Sequence, residues 1–397
     1  MSRMAPARLL RSRGGEQPVT NVELFFDLVY VFAVTQLSHH LLDHPTVEGA
    51  LRTMLLLAIV WLAWAYTMWV TNWLDPNRLA VRAMLFAQML ASLVMSIGLP
   101  EAFEQRGMLV AGAFVTMQVG RTIFVVLAVP GWELQRNFER VLVWCVGSGA
   151  LYVAGALYDG HARELLWLLG IAVDLGGAAV GFYTPGLGRS QTTEWTIEGS
   201  HIAERCQLFV IIALGESIVV IGSTLSGRHP IGGAEIAAFG TAFAGSIALW
   251  WIYFDRSASE AARVIAATDD PGRLGTEAYH WIHPVMIAGI IVAAAADERV
   301  LEHPNVVGET STAWMVLGGA MLFLTGHAAF KATVWRVVPW TRLGAVAVLA
   351  VLLVAASQIT ALALAIIAVL VLWAVALTDR LLTSPARTAS RQPPGRR

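Results

Sequence analysis

The sequence predicts an all-α, polytopic membrane protein with about twelve transmembrane helices in two parallel six-helix repeats. Three observations carry that expectation. Apolar residues make up 56% of the 397 and charged residues only 14%, against about 25% charge in a soluble domain. Apolar runs of about 18 residues or more recur along the whole chain, each long enough to cross ~30 Å of hydrocarbon. The two halves also carry similar landmarks in the same order.

Spans are read at 22–42, 50–71, 80–99, 107–129, 139–157 and 163–184, then 205–225, 233–254, 278–297, 311–335, 340–358 and 361–379. The first span opens at Glu23 and runs out at His44-Pro45; the seventh opens at Glu204 and runs out at His229-Pro230. The second closes on the aromatic cluster WLAWAYTMW and the eighth on ALWWIYF. In the fourth span of each half a cation follows a threonine, TMQVGR ending at Arg121 and TGHAAFK ending at Lys331, with Pro130/Trp132 and Pro339/Trp340 beyond. The ninth span opens with His280, His283 and Pro284, where a proline in the first turn is tolerated and a deeper one kinks the helix.

Six spans per half is an even number, so the halves point the same way, as parallel repeats do. The organisation expected is a basic tail over 1–20, a first repeat over 21–184, a linker over 185–204, a second repeat over 205–379 and a basic disordered tail over 380–397. A longer loop at 255–277, with Asp269 and Asp270, sets the second half apart.

Orientation follows from the cations. Twenty of the 27 lysines and arginines fall on the side that holds both termini, and five on the other. Cytoplasmic loops carry the excess, so both termini are expected inside, in the cell (inner or plasma) membrane. A net charge of −1 gives no reason to expect a nucleic-acid partner. Two cysteines, Cys145 and Cys206, suggest neither a disulfide framework nor a zinc site. The basic, Gly- and Pro-containing start does not read as a signal peptide.

The stretches ELFFDLVYVFAVTQL, ERCQLFVIIALGESIVVIG and HWIHPVMIAGIIVAA resemble segments of the bacterial low temperature requirement protein A family. The resemblance spans roughly 20–380. It implies an integral membrane protein linked by name to growth in the cold, with no established activity and no assigned site residues. A weaker likeness joins Phe25-Phe26-Asp27 to an Arg-x-x-x-Phe-Ser-Asp pattern in two-repeat potassium channels, but the arginine is missing and the second half has Gln207-Leu208 at that place.

Ionisable residues at membrane depth are costly and mark candidate sites. Here they are Asp27, Arg121, Asp174, Glu216 and Lys331, with Glu23 and Glu204 at span edges. Glu23, Asp27, Arg121, Glu204, Glu216 and Lys331 form the candidate ion or substrate pathway. Thr20-x-x-Glu23 also fits a capping box, and Asp27 lies one turn deeper on the same face. Glu216 falls near mid-bilayer. The cations Arg121 and Lys331 either snorkel to the cytoplasmic face or pair with one of Asp27, Glu23, Glu204 and Glu216. His39, His40, His44, His161, His229 and His303 fall on or near the outer face, where they read as solvated or as pH sensors. His40 and His44 around Asp43 are a weak zinc spacing.

The leading expectation is a transporter or channel for a small ion or solute. The alternatives are a sensor or assembly factor in stress adaptation, and a membrane-embedded enzyme on a lipid substrate. The sequence has no H-E-x-x-H and no serine elbow around Leu-Gly-Glu-Ser, so no enzyme, cofactor or metal is expected. The expected partners are the lipid bilayer, an unidentified small solute and, at most, further copies of the chain.

Overall fold

The computed structural model describes residues 9–11, 17–191, 194–195, 197–227, 231–255, 257–268 and 270–382. His229 and Pro230, Asp269 and most of both tails lie outside these residues. Within them the fold is all helical, with only isolated bridges besides. The helices are α1 (Asn21–Asp43), α2 (Val47–Trp73), α3 (Leu79–Gly98), α4 (Gly107–Ala128), α5 (Glu133–Ala156), α6 (His161–Ala179) and α7 (Gly199–Ser226). They continue with α8 (Gly233–Phe254), α9 (Ser257–Ala266), α10 (Pro271–Gly275), α11 (His283–Glu302), α12 (Thr310–Trp335), α13 (Trp340–Ala355) and α14 (Ala361–Leu382).

Nine helical segments among the described residues are long and apolar enough to cross a membrane. They are α1 to α4, α7, α8 continued into α9, α12, α13 and α14. Helices α5, α6 and α11 stand where spans were read but fall short. They carry Glu139 and Arg140, then Arg163, Glu164 and Asp174, then Asp297, Glu298 and Arg299.

The bilayer is legible in α1. Its inward face carries Glu23, Phe26, Asp27 and Tyr30, all at most 1% exposed, while Phe25, Leu28 and Phe32 are exposed. Polar inside and apolar outside inverts the pattern of a soluble helix, and it is stable only where the solvent is hydrocarbon.

Three boundaries differ from the sequence reading. Helix α6 stops at Ala179 rather than 184. Gly181 and Phe182 take φ of 65° and 50°, and the Phe182 N–H closes on Gly177 O at 2.7 Å, which is a left-handed helix stop. Helix α7 starts at Gly199, six residues before the seventh span was expected to open at 205. The stretch read as a loop at 255–277 is largely helical: α9, then α10, then a π-helical segment Thr276–Ile282 that leads into α11.

The chain divides into two compact units. The first runs to Glu216 and resumes over Ala261–Pro284; the second comprises Ser217–Glu260 and Val285 onward. In the first, α1 packs on α2 and α3, α3 on α4, α4 on α5 and α5 on α6, while α2 also touches α4 and α6. Helix α2 is the enclosed one: 72% of its apolar window is buried, against 44% for α1. Its side chains are therefore placed to reach most of the unit. In the second unit α8 lies on α14, and α12 on α13 and α14. Helices α11 and α12 meet at glycines, Gly289 against the Phe323 backbone and Gly319 against that of Ala293.

Candidate functional site

Glu23 and Asp27 are four residues apart on α1, so one helical turn puts both on its buried face. His201 and Arg205 are four apart on α7 and face them. Arg205 donates from Nε to Asp27 Oδ2 at 3.0 Å and from Nη2 to Asp27 Oδ1 at 2.5 Å, a two-pronged pair. Its Nη1 reaches Glu23 Oε1 at 3.1 Å and Thr71 Oγ1 at 3.2 Å. The rings of Phe26 and Trp64 flank the guanidinium, each 5.8 Å away. Trp64 donates from Nε1 to Asp27 Oδ1 at 2.7 Å.

Glu23 is filled from several sides. Arg11 donates to both its oxygens at 2.9 Å. The Thr20 backbone N–H bonds Oε2 at 2.9 Å, so the capping box exists inside a larger network. His201 Nε2 lies 2.9 Å from Oε1. The Asn72 amide donates to His201 Nδ1 at 3.2 Å, which leaves Nε2 as the protonated nitrogen that donates to Glu23. Two acids and two arginines balance, with a neutral imidazole between them. A buried charge is tolerated only when paired and hydrogen-bonded in this way.

Asn72 ties the network to the chain before α7. Its amide donates to Glu198 O at 2.9 Å, and its carbonyl accepts from Glu198 N at 2.9 Å. Asn72→Ala strands both backbone groups and His201 Nδ1. It is expected to lower stability by about 1–3 kcal/mol, seen as a reduced thermal midpoint in detergent. An unchanged midpoint would mean that water replaces the amide.

The same helix α2 presents a second face to a cavity of about 980 Å³ within the first unit. Tyr66, Trp69 and Trp73 from α2, Phe138 from α5, Trp195 and Trp281 wall it. The Trp73, Phe138 and Trp195 rings lie 5.4–5.7 Å apart, centre to centre. Buried polar side chains line it as well, among them Arg121 from α4 and His280 from the π-helical segment. Arg121 Nη1 donates to Thr67 Oγ1 at 3.0 Å and to Ala63 O at 3.5 Å, Nη2 donates to Gln118 Oε1, and the Tyr66 ring lies 5.4 Å away. Among the described residues, His280 has no hydrogen-bond partner on either ring nitrogen.

The structure thus gathers the expected residues differently from the reading that paired Arg121 and Lys331 with the four named acids. Among the described residues, no ion pair joins Arg121 to a carboxylate; Asp174 acts on it from beyond ion-pair distance and accepts instead from Tyr152 Oη at 3.1 Å. Lys331 faces Asp379 at 4.0 Å in the second unit, where Arg342 is the closer partner. Glu204 is exposed and accepts from the Val19 N–H at 3.2 Å. Glu216 is buried, near Thr35 and His39, with Oε1 unpartnered among the described residues. The cation that serves Glu23 and Asp27 is Arg205, which the sequence reading had assigned to the cytoplasmic edge. The early start of α7 puts it two turns inside a helix.

Of the histidines expected near the outer face, His40 is buried and bonds Thr53 Oγ1 at 2.9 Å, and His44 caps α1 on His40 O at 3.1 Å. Glu48, His161 and Glu164 stand close enough to share an ion, but Arg52 bridges both acids at 2.7 Å.

Sequence reasoning missed Arg205, His201, Asn72, Trp64 and Arg11. A signal existed for the first two: acids at positions 23 and 27 and bases at 201 and 205 have the same four-residue spacing.

The chain matches the family model for bacterial low temperature requirement A protein over residues 18–377. It is 36% identical over 330 residues to an uncharacterized protein of Rhizobium meliloti (strain 1021), covering 82% of this chain and 80% of that one. No solved structure matches it.

Proposed function

The chain belongs to the bacterial low temperature requirement A family, and from that premise we propose that it is a transporter or channel for a small ion or solute. The observation that carries the reading is the cavity of the first unit. It is a space of about 980 Å³ in a bundle of membrane-type helices, walled by aromatic rings and lined by a buried arginine that forms no ion pair among the described residues. Sites for small molecules have this form: a mostly apolar concavity with a few convergent polar groups.

The finer features belong to the same proposal. Twelve spans form two parallel repeats, both termini lie in the cytoplasm, and the protein sits in the cell membrane, where it supports growth in the cold without acting as an enzyme. Of the pathway candidates, Arg121 and Glu216 fit best. Arg121 borders the cavity, and Glu216 keeps an oxygen free.

Purified protein in liposomes is expected to pass at least one member of a panel of monovalent cations, protons and small organic solutes faster than empty liposomes. Glu216→Gln should cut that flux at least tenfold while the thermal midpoint stays unchanged. A closed, self-neutral cluster at Glu23 and Asp27 favours a second reading, a sensor that binds its solute without moving it. No flux across the whole panel would reject transport in favour of that reading.

A further inference from the structure

We propose that the aromatic-walled cavity of the first unit binds a small organic monocarboxylate with a flat apolar body, whose carboxylate sits on Arg121 with His280 as the second polar contact. The inference deepens the solute-binding reading given above and rests on it, but not on whether the solute is moved.

Arg121 is 1% exposed, as deeply buried as Arg205, yet the two are served differently. Arg205 is held by two carboxylates. Among the described residues Arg121 has only neutral acceptors, Thr67, Ala63 and Gln118, which take three of the five N–H groups that a guanidinium carries. A buried cation is strongly favoured by a carboxylate partner, and planar two-pronged pairing is the geometry that arginine offers. Gln118 and Thr67 hold the guanidinium in place, and the Tyr66 ring lies against it.

His280 is a second and independent observation. It is 6% exposed, lines the same cavity, and neither ring nitrogen has a partner among the described residues. A buried polar group without a partner is uncommon and calls for an explanation. It sits in the π-helical turn Thr276–Ile282, and such turns recur at functional sites. Its backbone is already fixed, since Trp61 Nε1 donates to His280 O at 3.0 Å. The ring is therefore positioned by the fold yet has nothing to bond. A ligand oxygen supplies what is missing.

The remaining charges agree in sign. Arg189 and Arg273 also border the cavity, and the sole acid there among the described residues, Glu277, is bonded to Arg273 at 2.9 Å. The excess is positive, which selects an anion. The walls are indole and phenyl rings, which stack on a flat apolar body. Together they describe an aryl carboxylate rather than an inorganic ion, which would leave the aromatic walls unused, or an organic cation, which Arg121 would repel.

Detergent-purified full-length protein tests this through its own tryptophans, four of which line the cavity. The probes are 1-naphthoate, the neutral 1-naphthamide and the cationic 1-naphthylmethylamine. Naphthoate is expected to change tryptophan fluorescence saturably and to bind at least tenfold more tightly than the amide, with the amine weaker still. Arg121→Gln should erase the preference for acid over amide. His280→Phe breaks no side-chain bond, so it should fold normally and weaken naphthoate several-fold. Equal binding of acid and amide, tighter binding of the amine, or no saturable change with naphthoate overturns the assignment. Acid-selective binding without flux would sustain it and reject transport; flux without acid-selective binding would do the reverse.

Discussion

Arg205→Met is expected to be among the most damaging single substitutions in the protein, at about 3–5 kcal/mol, the usual result of removing one partner of a buried ion pair. Asp27 would lose both its charged bonds and keep only the Trp64 N–H. Glu23 would suffer less, because Arg11, Thr20 and His201 still serve it. The loss should therefore arise at Asp27, and Asp27→Asn in the same chain should recover part of it. Asparagine removes the stranded charge and keeps an acceptor for Trp64. The measurement is the thermal midpoint of the detergent-solubilised variants. A double variant no more stable than Arg205→Met alone would reject the network as a structural clamp. Asp27→Asn that folds normally but abolishes flux would assign Asp27 to the pathway.

That experiment bears on how much could be read beforehand. Helix positions were legible because hydropathy and length alone decide which segments suit hydrocarbon. The burial of Asp27 was legible too, since a carboxylate inside an apolar run must face protein rather than lipid. Its partner was not. Arg205 sits in a polar stretch, Glu-Gly-Ser-His-Ile-Ala-Glu-Arg, which hydropathy assigns to the aqueous edge. Only the fold reveals that α7 begins earlier and turns His201 and Arg205 toward α1. The repeat argument also steered attention to Glu204 as the equivalent of Glu23, whereas the neighbouring Arg205 is the residue that meets Glu23 and Asp27. Complementarity between helices, not likeness between halves, decides which charges meet. The cavity was hidden for a similar reason. Its aromatic wall reads in sequence as an interfacial belt, and nothing local distinguishes a tryptophan that meets headgroups from one that faces an enclosed space.

The second large effect is expected where α11 crosses α12. A Cβ on Gly289 would lie 2.4 Å from the Phe323 backbone nitrogen and 2.7 Å from its Cα. Backbone cannot yield as a flexible side chain does, so Gly289→Ala must push the two helices apart. Gly319 and Gly326 make comparable approaches to Ala293 and Met286 on the same seam, so a shift at one point loosens all three. Overpacking of this kind typically costs about 1–3 kcal/mol, and the upper end is expected here. The bulkier Gly289→Leu should prevent accumulation of folded protein. Gly318→Ala supplies the control from the partner helix α12, since open space surrounds its would-be Cβ. Alanine is favoured over glycine in a helix by about 1 kcal/mol, so Gly318→Ala should raise the midpoint while Gly289→Ala lowers it. Opposite signs from one chemical change would locate the seam. A Gly289→Ala protein as stable as the parent would mean that α11 and α12 do not cross in contact.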